Sequence, residues 1–206
     1  MKAFTLIGLL FFIFSAISQD ERYYRKFFTG ELIDKSKNTE KYKVTVESPR
    51  YEVDLNQDKA MESIRVQKRD GIDFFIIYDQ NGYQIFNKKL NSIGLKSKLV
   101  KVELKSISPS VNTLILHFYE GAINSTKFES MASLYFVTIN KRNIRKIHFS
   151  DGPHFFHEKE VGEKYLNRRY TVNTIDYNKD GIREISISYN KIQRIYFYLN
   201  NDWIKF

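Results

Sequence analysis

Two short stretches of the chain carry oxygen-bearing side chains at alternate positions around a tight turn. In the second acidic loop (residues 176–184) these side chains occupy positions 1, 3, 5 and 9, and Gly181 occupies position 6. Ca²⁺ takes about 6–8 oxygen ligands, and alternate side chains of a tight loop can converge on one ion. Glycine permits the positive φ that the sharp reversal needs. The predicted ligands are the side chains of Asp176, Asn178, Asp180 and Glu184 and the backbone carbonyl of Ile182.

The first acidic loop (residues 54–62) repeats this pattern more weakly, because Lys59 takes the position of the glycine and adds a positive charge. The predicted ligands are the side chains of Asp54, Asn56, Asp58 and Glu62 and the backbone carbonyl of Ala60. The two loops together predict one or two structural Ca²⁺ sites. A plain solvated turn stays open as the alternative interpretation, since such residues commonly form turns.

Strand patterns follow both loops in the same order. Apolar and β-branched runs of four to eight residues, with period-two alternation, are typical of strands. The predicted strands are Ile64–Val66, Asp73–Tyr78 and Tyr83–Phe86 after the first loop, and Ile185–Tyr189, Arg194–Tyr198 and Trp203–Phe206 after the second. Asn81-Gly82 is a strong signal for a two-residue hairpin turn. Each unit is therefore predicted as loop, strand, strand, turn, strand.

A third unit lies between these two and has no acidic loop. Leu99–Leu104 has a strand pattern, and Ser106–Asn112 replaces the carboxylate-bearing loop. We therefore predict an all-β fold, with antiparallel sheets built from about three repeated loop-strand-hairpin units. The assembly is expected to be propeller-blade-like or a compact β-sandwich. The expected single domain is 41–206, with units at about 46–90, 98–149 and 168–206 and an insertion at 150–167. Residues 150–169 are predicted as a loop, with a short helical turn near Lys159 to Tyr165.

The N-terminus has the features of a cleavable signal peptide over residues 1–18. Lys2 precedes an apolar run, Ala3–Phe14, and small residues then favour a cut near Ser18–Gln19. The apolar run is shorter than a membrane-spanning helix needs, so we expect no anchor after cleavage and a secreted or periplasmic protein. Residues 19–40 are expected to form a charged N-terminal segment. The absence of cysteine excludes disulfides and thiolate chemistry.

The two acidic loops resemble the Asp-x-Asp-x-Asp-Gly-x-x-Asp calcium loops of FG-GAP and VCBS-type repeats, which occur in integrin-like β-propellers. The match is good over residues 176–184 and partial over 54–62, where Asn stands at position 3 and Glu at position 9 in both. The resemblance implies a β-structure stiffened by Ca²⁺ and used for adhesion or recognition. Three units are fewer than the four or more blades of an ordinary propeller.

Other candidate chemistry is weaker. His154 and His157, beside Glu158, have a spacing that two zinc ligands on one helix could use, but the zinc-protease pattern is absent. No nucleophile motif is present. The net charge of +9 and the basic stretches at 141–146 and 165–170 would suit an acidic polysaccharide or cell-envelope surface. A protein partner is also possible, whereas nucleic acid is not expected for an exported chain.

The predicted function is that of an exported, non-enzymatic binding or adhesion-like β domain stabilised by Ca²⁺. Two alternatives stay open at the level of the sequence. One is a secreted hydrolase whose site lies in the His- and acid-rich segment 150–169. The other is an envelope structural protein whose polar loops bind no metal.

Overall fold

The computed structural model describes residues 49–93, 96–124, 128–141, 143–161 and 164–205, all of which belong to the unit Val46–Phe206. Within these ranges every regular element is a strand, and all strand pairing is antiparallel. The predicted all-β antiparallel fold is therefore confirmed. The predicted signal peptide and charged segment lie outside the described residues. In the described part of the chain, no helix long and apolar enough to span a membrane is found.

Three sheets make up the described structure, and each is a meander in which consecutive strands pair. Sheet I contains β1 (Tyr51–Val53), β2 (Glu62–Arg69), β3 (Ile72–Tyr78) and β4 (Gln84–Lys89). Sheet II contains β5 (Lys98–Ser108), β6 (Val111–Asn124), β7 (Phe128–Asn140), β8 (Asn143–Val161) and β9 (Lys164–Arg169). Sheet III contains β10 (Thr171–Ile175), β11 (Glu184–Tyr189), β12 (Ile192–Leu199) and β13 (Asp202–Lys205).

The segment 150–169 is not a loop, and the helical turn expected there is wrong. It continues β8, which pairs with β7 from Asn143 to Lys159, and then enters β9. The sequence does not predict this strand because the β7–β8 pairing shifts register at three points, and these shifts interrupt the period-two alternation of apolar residues. At one of these irregular stretches Gly152 lies so close to β7 that an added Cβ would stand 2.7 Å from the carbonyl oxygen of Leu134.

Two turn predictions also need correction. The segment Ser106–Asn112, predicted in place of an acidic loop, is mostly strand, because β5 runs to Ser108 and β6 starts at Val111, which leaves a tight hairpin. The connection around Asn81 is not a two-residue turn but spans 79–83, where the Asp79 carboxylate accepts hydrogen bonds from two backbone N–H groups. The two-residue turn of sheet I lies instead at Asp70-Gly71, and both residues have positive φ.

Sheet II lies between the other two sheets and is buried on both faces. Alternate residues of β6 and β7 contribute to one core with sheet I, while the other set faces sheet III. The first core includes Ile64, Phe75, Ile77, Leu114, Leu116, Phe118, Tyr135, Val137 and Ile139. Burial on both faces explains the unbroken apolar runs Leu114–Leu116 of β6 and Leu134–Val137 of β7, since alternation is lost when neither face meets water.

Sheet III packs on the opposite face of sheet II through aromatic side chains. Phe136 of β7 contacts Tyr196 and Trp203, with ring centroids 5.9 and 5.5 Å apart. The indole Nε1 of Trp203 donates a hydrogen bond to Thr138 Oγ1 at 3.1 Å, and all these atoms are buried. Trp203 is therefore the main anchor of the third sheet.

Candidate functional site: two equivalent acidic loops

Both acidic loops occupy the same topological position. The first connects β1 to β2 in sheet I, and the second connects β10 to β11 in sheet III. In each case the glutamate at position 9 is the first residue of the strand that follows, namely Glu62 of β2 and Glu184 of β11. The two predicted sites are therefore the first connections of two four-stranded meanders.

The two loops also have the same unusual backbone conformation. Positions 4 and 6 are left-handed in both, at Gln57 (φ 63°) and Lys59 (φ 72°) and again at Lys179 (φ 60°) and Gly181 (φ 85°). Left-handed φ is costly for residues other than glycine, by about 1–2 kcal/mol each. Three such residues at matching positions show that the polar side chains of both loops impose one conformation on the chain.

Hydrogen bonds in the second loop show how the side chains impose it. The Oδ2 of Asp176 accepts from the N–H of Gly181 at 3.1 Å, and Oδ1 of Asp180 accepts from the N–H of Ile182 at 2.7 Å. The Asn178 amide donates to Oδ2 of Asp180 at 2.8 Å. Side chains 1, 3 and 5 therefore meet inside the turn, while Ile182 contributes its N–H to this network.

The first loop repeats these contacts residue by residue. The Oδ2 of Asp54 accepts from the N–H of Lys59 at 2.9 Å, and Oδ1 of Asp58 accepts from the N–H of Ala60 at 2.8 Å. The Asn56 amide donates to Asp58 at 2.7 Å. The bonds from Ala60 and Asn56 lower the pKa of Asp58. Lys59 replaces the glycine of the second loop, and it nevertheless adopts the same left-handed φ as Gly181.

The glutamates at position 9 are buried and close each loop. Glu184 accepts a hydrogen bond from the N–H of Tyr177 at 2.7 Å, and Glu62 accepts one from the N–H of Leu55 at 2.9 Å. In each loop the residue at position 9 is therefore bonded to the backbone of position 2. Burial raises the pKa of Glu62, partly offset by the bond from Leu55. The negative charges of Asp58 and Asp54 raise the pKa of Glu62 further. Within the described ranges, no three Asp, Glu or His side chains converge as a metal-binding group.

One oxygen distinguishes the second loop. The Oδ1 of Asp176 is buried and has no hydrogen-bond partner. In the first loop the equivalent oxygen of Asp54 accepts from the N–H of Asp58 at 3.1 Å. A buried carboxylate oxygen without a partner is energetically costly. A cation at this position would satisfy it.

Both loops are anchored to the β5–β6 hairpin of sheet II. The Asn112 amide donates to the carbonyl of Leu55 in the first loop at 2.8 Å, and the N–H of Arg183 in the second loop donates to the carbonyl of Ile107 at 2.9 Å. Leu55 itself is fully buried in the core with sheet I. The first connections of all three sheets therefore meet at one end of the protein. Asn112 is a positioning residue that sequence reasoning missed, since nothing in its surroundings marks it.

The histidines of the segment 150–169 have separate partners. His154 Nδ1 lies 2.7 Å from Ser133 Oγ, which donates to the buried carboxylate of Glu120. The bond with Glu120 raises the pKa of His154, against the effect of burial. His157 Nε2 lies 2.9 Å from Glu129. The structure thus does not bring the two imidazoles onto one ion.

The Ser133, His154 and Glu120 cluster also lacks the order of a catalytic triad. A triad needs the serine on one imidazole nitrogen and the acid on the other. Here both the hydroxyl and the carboxylate approach Nδ1, at 2.7 and 3.5 Å. Ser133 is also buried. The three side chains therefore link β6, β7 and β8 by hydrogen bonds.

This architecture defines an all-β protein of three antiparallel meanders, and in two of them an equivalent acidic loop connects the first strand to the second. Comparison of the chain with protein-family models, with curated proteins and with solved structures finds no match.

Proposed function

We propose that this protein is a non-enzymatic β-sheet binding module in which Ca²⁺ at the two acidic loops stabilises the three-sheet assembly. The observation that carries the proposal is the shared loop conformation, with left-handed residues at positions 4 and 6 and the same side-chain hydrogen bonds. Two loops far apart in the chain adopt one conformation at the same topological position. A plain turn would require neither the spacing nor the costly backbone.

The donor chemistry of the loops fits a hard cation. Carboxylate, amide and carbonyl oxygens are the ligands that Ca²⁺ takes, and the buried, unpartnered Asp176 Oδ1 is one that a cation would satisfy. Carboxylate oxygens that already accept one N–H keep a second lone pair for an ion. The residues that would hold Ca²⁺ are Asp176, Asn178, Asp180, Ile182 and Glu184, and Asp54, Asn56, Asp58, Ala60 and Glu62.

The affinity should be weak. The carboxylates of each loop do not converge in the structure described here, so binding an ion has to draw position 9 toward positions 1 and 5. Such reorganisation places the dissociation constants near the value of about 10⁻⁴–10⁻³ M typical of extracellular modules. The apolar segment Ala3–Phe14 supports an extracytoplasmic location, where Ca²⁺ reaches such concentrations.

Calcium would act on the whole assembly because both loops hold the β5–β6 hairpin. Fixing the loop around Leu55 strengthens the contact of sheet I with Asn112, and fixing the loop before Glu184 strengthens the contact of sheet III with Ile107. An ion that binds only the folded state stabilises it by ligand linkage.

Thermal unfolding in Ca²⁺ and in chelator tests the proposal. A ligand present at tenfold its dissociation constant adds about 1.4 kcal/mol per site, which raises the melting temperature by about 3–6 °C for a domain of this size. Two double variants each remove one site, namely Asp176→Asn/Asp180→Asn and Asp54→Asn/Asp58→Asn. Each should lose the part of the Ca²⁺-dependent rise in melting temperature that its site contributes. Mg²⁺ at the same concentration is the ion control, because it demands a stricter octahedral geometry.

The controls separate metal binding from loop structure. The Asn variants keep a side-chain oxygen to accept the backbone N–H groups, so a lower melting temperature in chelator measures the loop alone. A protein whose melting temperature is the same in Ca²⁺ and chelator would refute the proposal. So would a Ca²⁺ shift that both double variants retain in full.

A further inference from the structure

A cleft of about 530 Å³ opens between sheets II and III, away from the acidic loop residues themselves. Its walls come from the ends of β6, β7 and β8 and from the β12–β13 turn of sheet III. The side chains that carry its chemistry are Asn140, Arg145, Lys146, His148, Tyr198 and Asn201. A volume in this range accommodates a small organic ligand of one or two rings.

The cleft is basic, and its cationic side chains form no ion pair with any residue that the structure describes. Arg145, Lys146 and His148 line it, and no residue of its wall is acidic. Among the described residues none of these three side chains forms an ion pair, whereas elsewhere on sheet II Lys101 and Lys105 are both paired with Glu103. Two permanent cations that form no ion pair in one concave site attract an anion, because a concave surface of mainly one sign focuses the field.

One acidic side chain, Asp202, lies beside the cleft, where burial raises the pKa of Tyr198 and the charge of Asp202 raises it further. Its Oδ1 accepts from the hydroxyl of Ser150 and from the N–H of Trp203 at 2.8 Å, which holds the carboxylate at the interface between the sheets. One negative charge offsets at most one of the two permanent cations, so the cleft keeps a net positive charge.

The other wall supplies an aromatic ring and an amide group. Tyr198 is half-buried and packs on Trp203 with ring centroids 5.4 Å apart, which fixes the position of its ring. Its hydroxyl donates to Oδ1 of Asn201 at 3.2 Å. This bond orients the Asn201 amide and leaves its NH₂ group as a donor. A rigid aromatic ring, an amide and a guanidinium together suit a ring-shaped ligand that is rich in oxygen acceptors.

We propose that this cleft binds an acidic saccharide, with Arg145 and Lys146 on the carboxylate or sulfate group and with Tyr198 and Asn201 on the sugar ring. Uronate and sulfate-ester groups share the required chemistry, a delocalised anion with several acceptor oxygens that matches a guanidinium. The cleft admits one or two sugar units, so a polysaccharide would be bound at one residue along its length. This assignment names a ligand class and does not depend on Ca²⁺ occupying the acidic loops.

Titration calorimetry with the full chain tests the assignment. The probes are a tetra-uronate, a sulfated tetrasaccharide, a neutral tetrasaccharide of the same length, inorganic sulfate and vesicles containing an anionic phospholipid. The wild-type protein should bind at least one acidic saccharide about tenfold or more tightly than the neutral one. Arg145→Gln and Lys146→Gln should each reduce that affinity by about tenfold. Lys191→Gln, an exposed cation on the β11–β12 turn, is the matched control and should stay within about twofold of wild type, as expected for a remote surface charge.

Several results of these titrations would overturn the proposal that the cleft binds an acidic saccharide. Equal binding of acidic and neutral saccharides, or unchanged affinity in the Arg145 and Lys146 variants, overturns the proposal. Inorganic sulfate or anionic vesicles binding as tightly as the acidic saccharides overturns the assignment to a sugar and leaves a simple anion site. The variants alter exposed side chains, and far-UV circular dichroism verifies that they fold. Running every titration in Ca²⁺ and again in chelator separates failure of this proposal from failure of the calcium proposal.

Discussion

Replacing Trp203 should detach sheet III from sheet II. The side chain is 6 % exposed, contacts Phe136 and Tyr198, and donates its indole N–H to Thr138. Truncating a buried Trp to Ala costs about 3–5 kcal/mol, because the transfer energy is lost and a cavity remains. For a domain of this size about 4 kcal/mol corresponds to a fall of about 8–16 °C in the melting temperature. Urea unfolding followed by far-UV circular dichroism measures the loss without relying on the tryptophan's own fluorescence.

A second substitution separates the hydrogen bond from the packing. Trp203→Phe keeps an aromatic ring against Phe136 and removes the indole N–H, so we expect a loss of about 1–2 kcal/mol. The Thr138 hydroxyl stays satisfied, because it also lies 3.1 Å from the hydroxyl of Thr113. The phenylalanine variant should therefore fall between the wild type and Trp203→Ala.

Ile204→Ala is the matched control for this anchor. Ile204 is the next residue on β13, points away from sheet II and is 42 % exposed, so its truncation should cost less than about 1 kcal/mol. If Trp203→Ala were no more harmful than Ile204→Ala, Trp203 would not hold the sheets together. The aromatic contacts with Phe136 would then contribute little to the free energy of unfolding.

Three further predictions concern single contacts in sheet II. Gly152→Ala should destabilise by about 1–3 kcal/mol in urea unfolding, because its Cβ would stand 2.7 Å from a backbone oxygen of β7. Asn112→Ala should cost about 1–3 kcal/mol in the same assay by leaving a buried carbonyl of the first acidic loop unsatisfied. Asn112→Leu, which has a similar size and no donor, should not restore stability. In an NMR titration His154 should have a pKa above its usual value and His117, which is buried, a pKa below it. The stabilisation by His154 is then complete below pH 6.5, the ordinary histidine value, and is lost as pH rises through the folded pKa, whereas His117 destabilises as pH falls below 6.5. A pKa of His154 at or below 6.5 would contradict the first assignment, and a pKa of His117 at or above 6.5 would contradict the second.

The strands of sheets I and III could be predicted because their information is local. Segments such as 73–78 and 194–198 combine β-branched and aromatic residues with polar flanks, and the structure has strands at both. The acidic loops are local in the same sense. Their conformation depends on hydrogen bonds between residues at most seven positions apart, such as Tyr177 with Glu184. Spacing alone therefore identified these loops, although not the left-handed φ of Gln57 and Lys179.

The segment 150–169 could not be predicted, because its conformation depends on distant residues. Its histidines, Gly152 and Pro153 favour a loop locally, yet β7 offers a buried edge with which this segment pairs as β8. Backbone hydrogen bonds to that edge outweigh weak local preferences, and the register shifts accommodate the residues that do not fit.

The sequence by itself determined that the chain is all-β, where most strands of sheets I and III lie, and which side chains line the two acidic turns. Those properties depend on alternation and spacing over fewer than about ten residues. Only the tertiary structure decided which sheet is central, that Asn112 and Ile107 hold both acidic loops, and that Arg145 and Tyr198 share one cleft. These pairs are brought together by sheet packing, and an antiparallel meander can place its faces against other sheets in several ways that leave the local pattern unchanged.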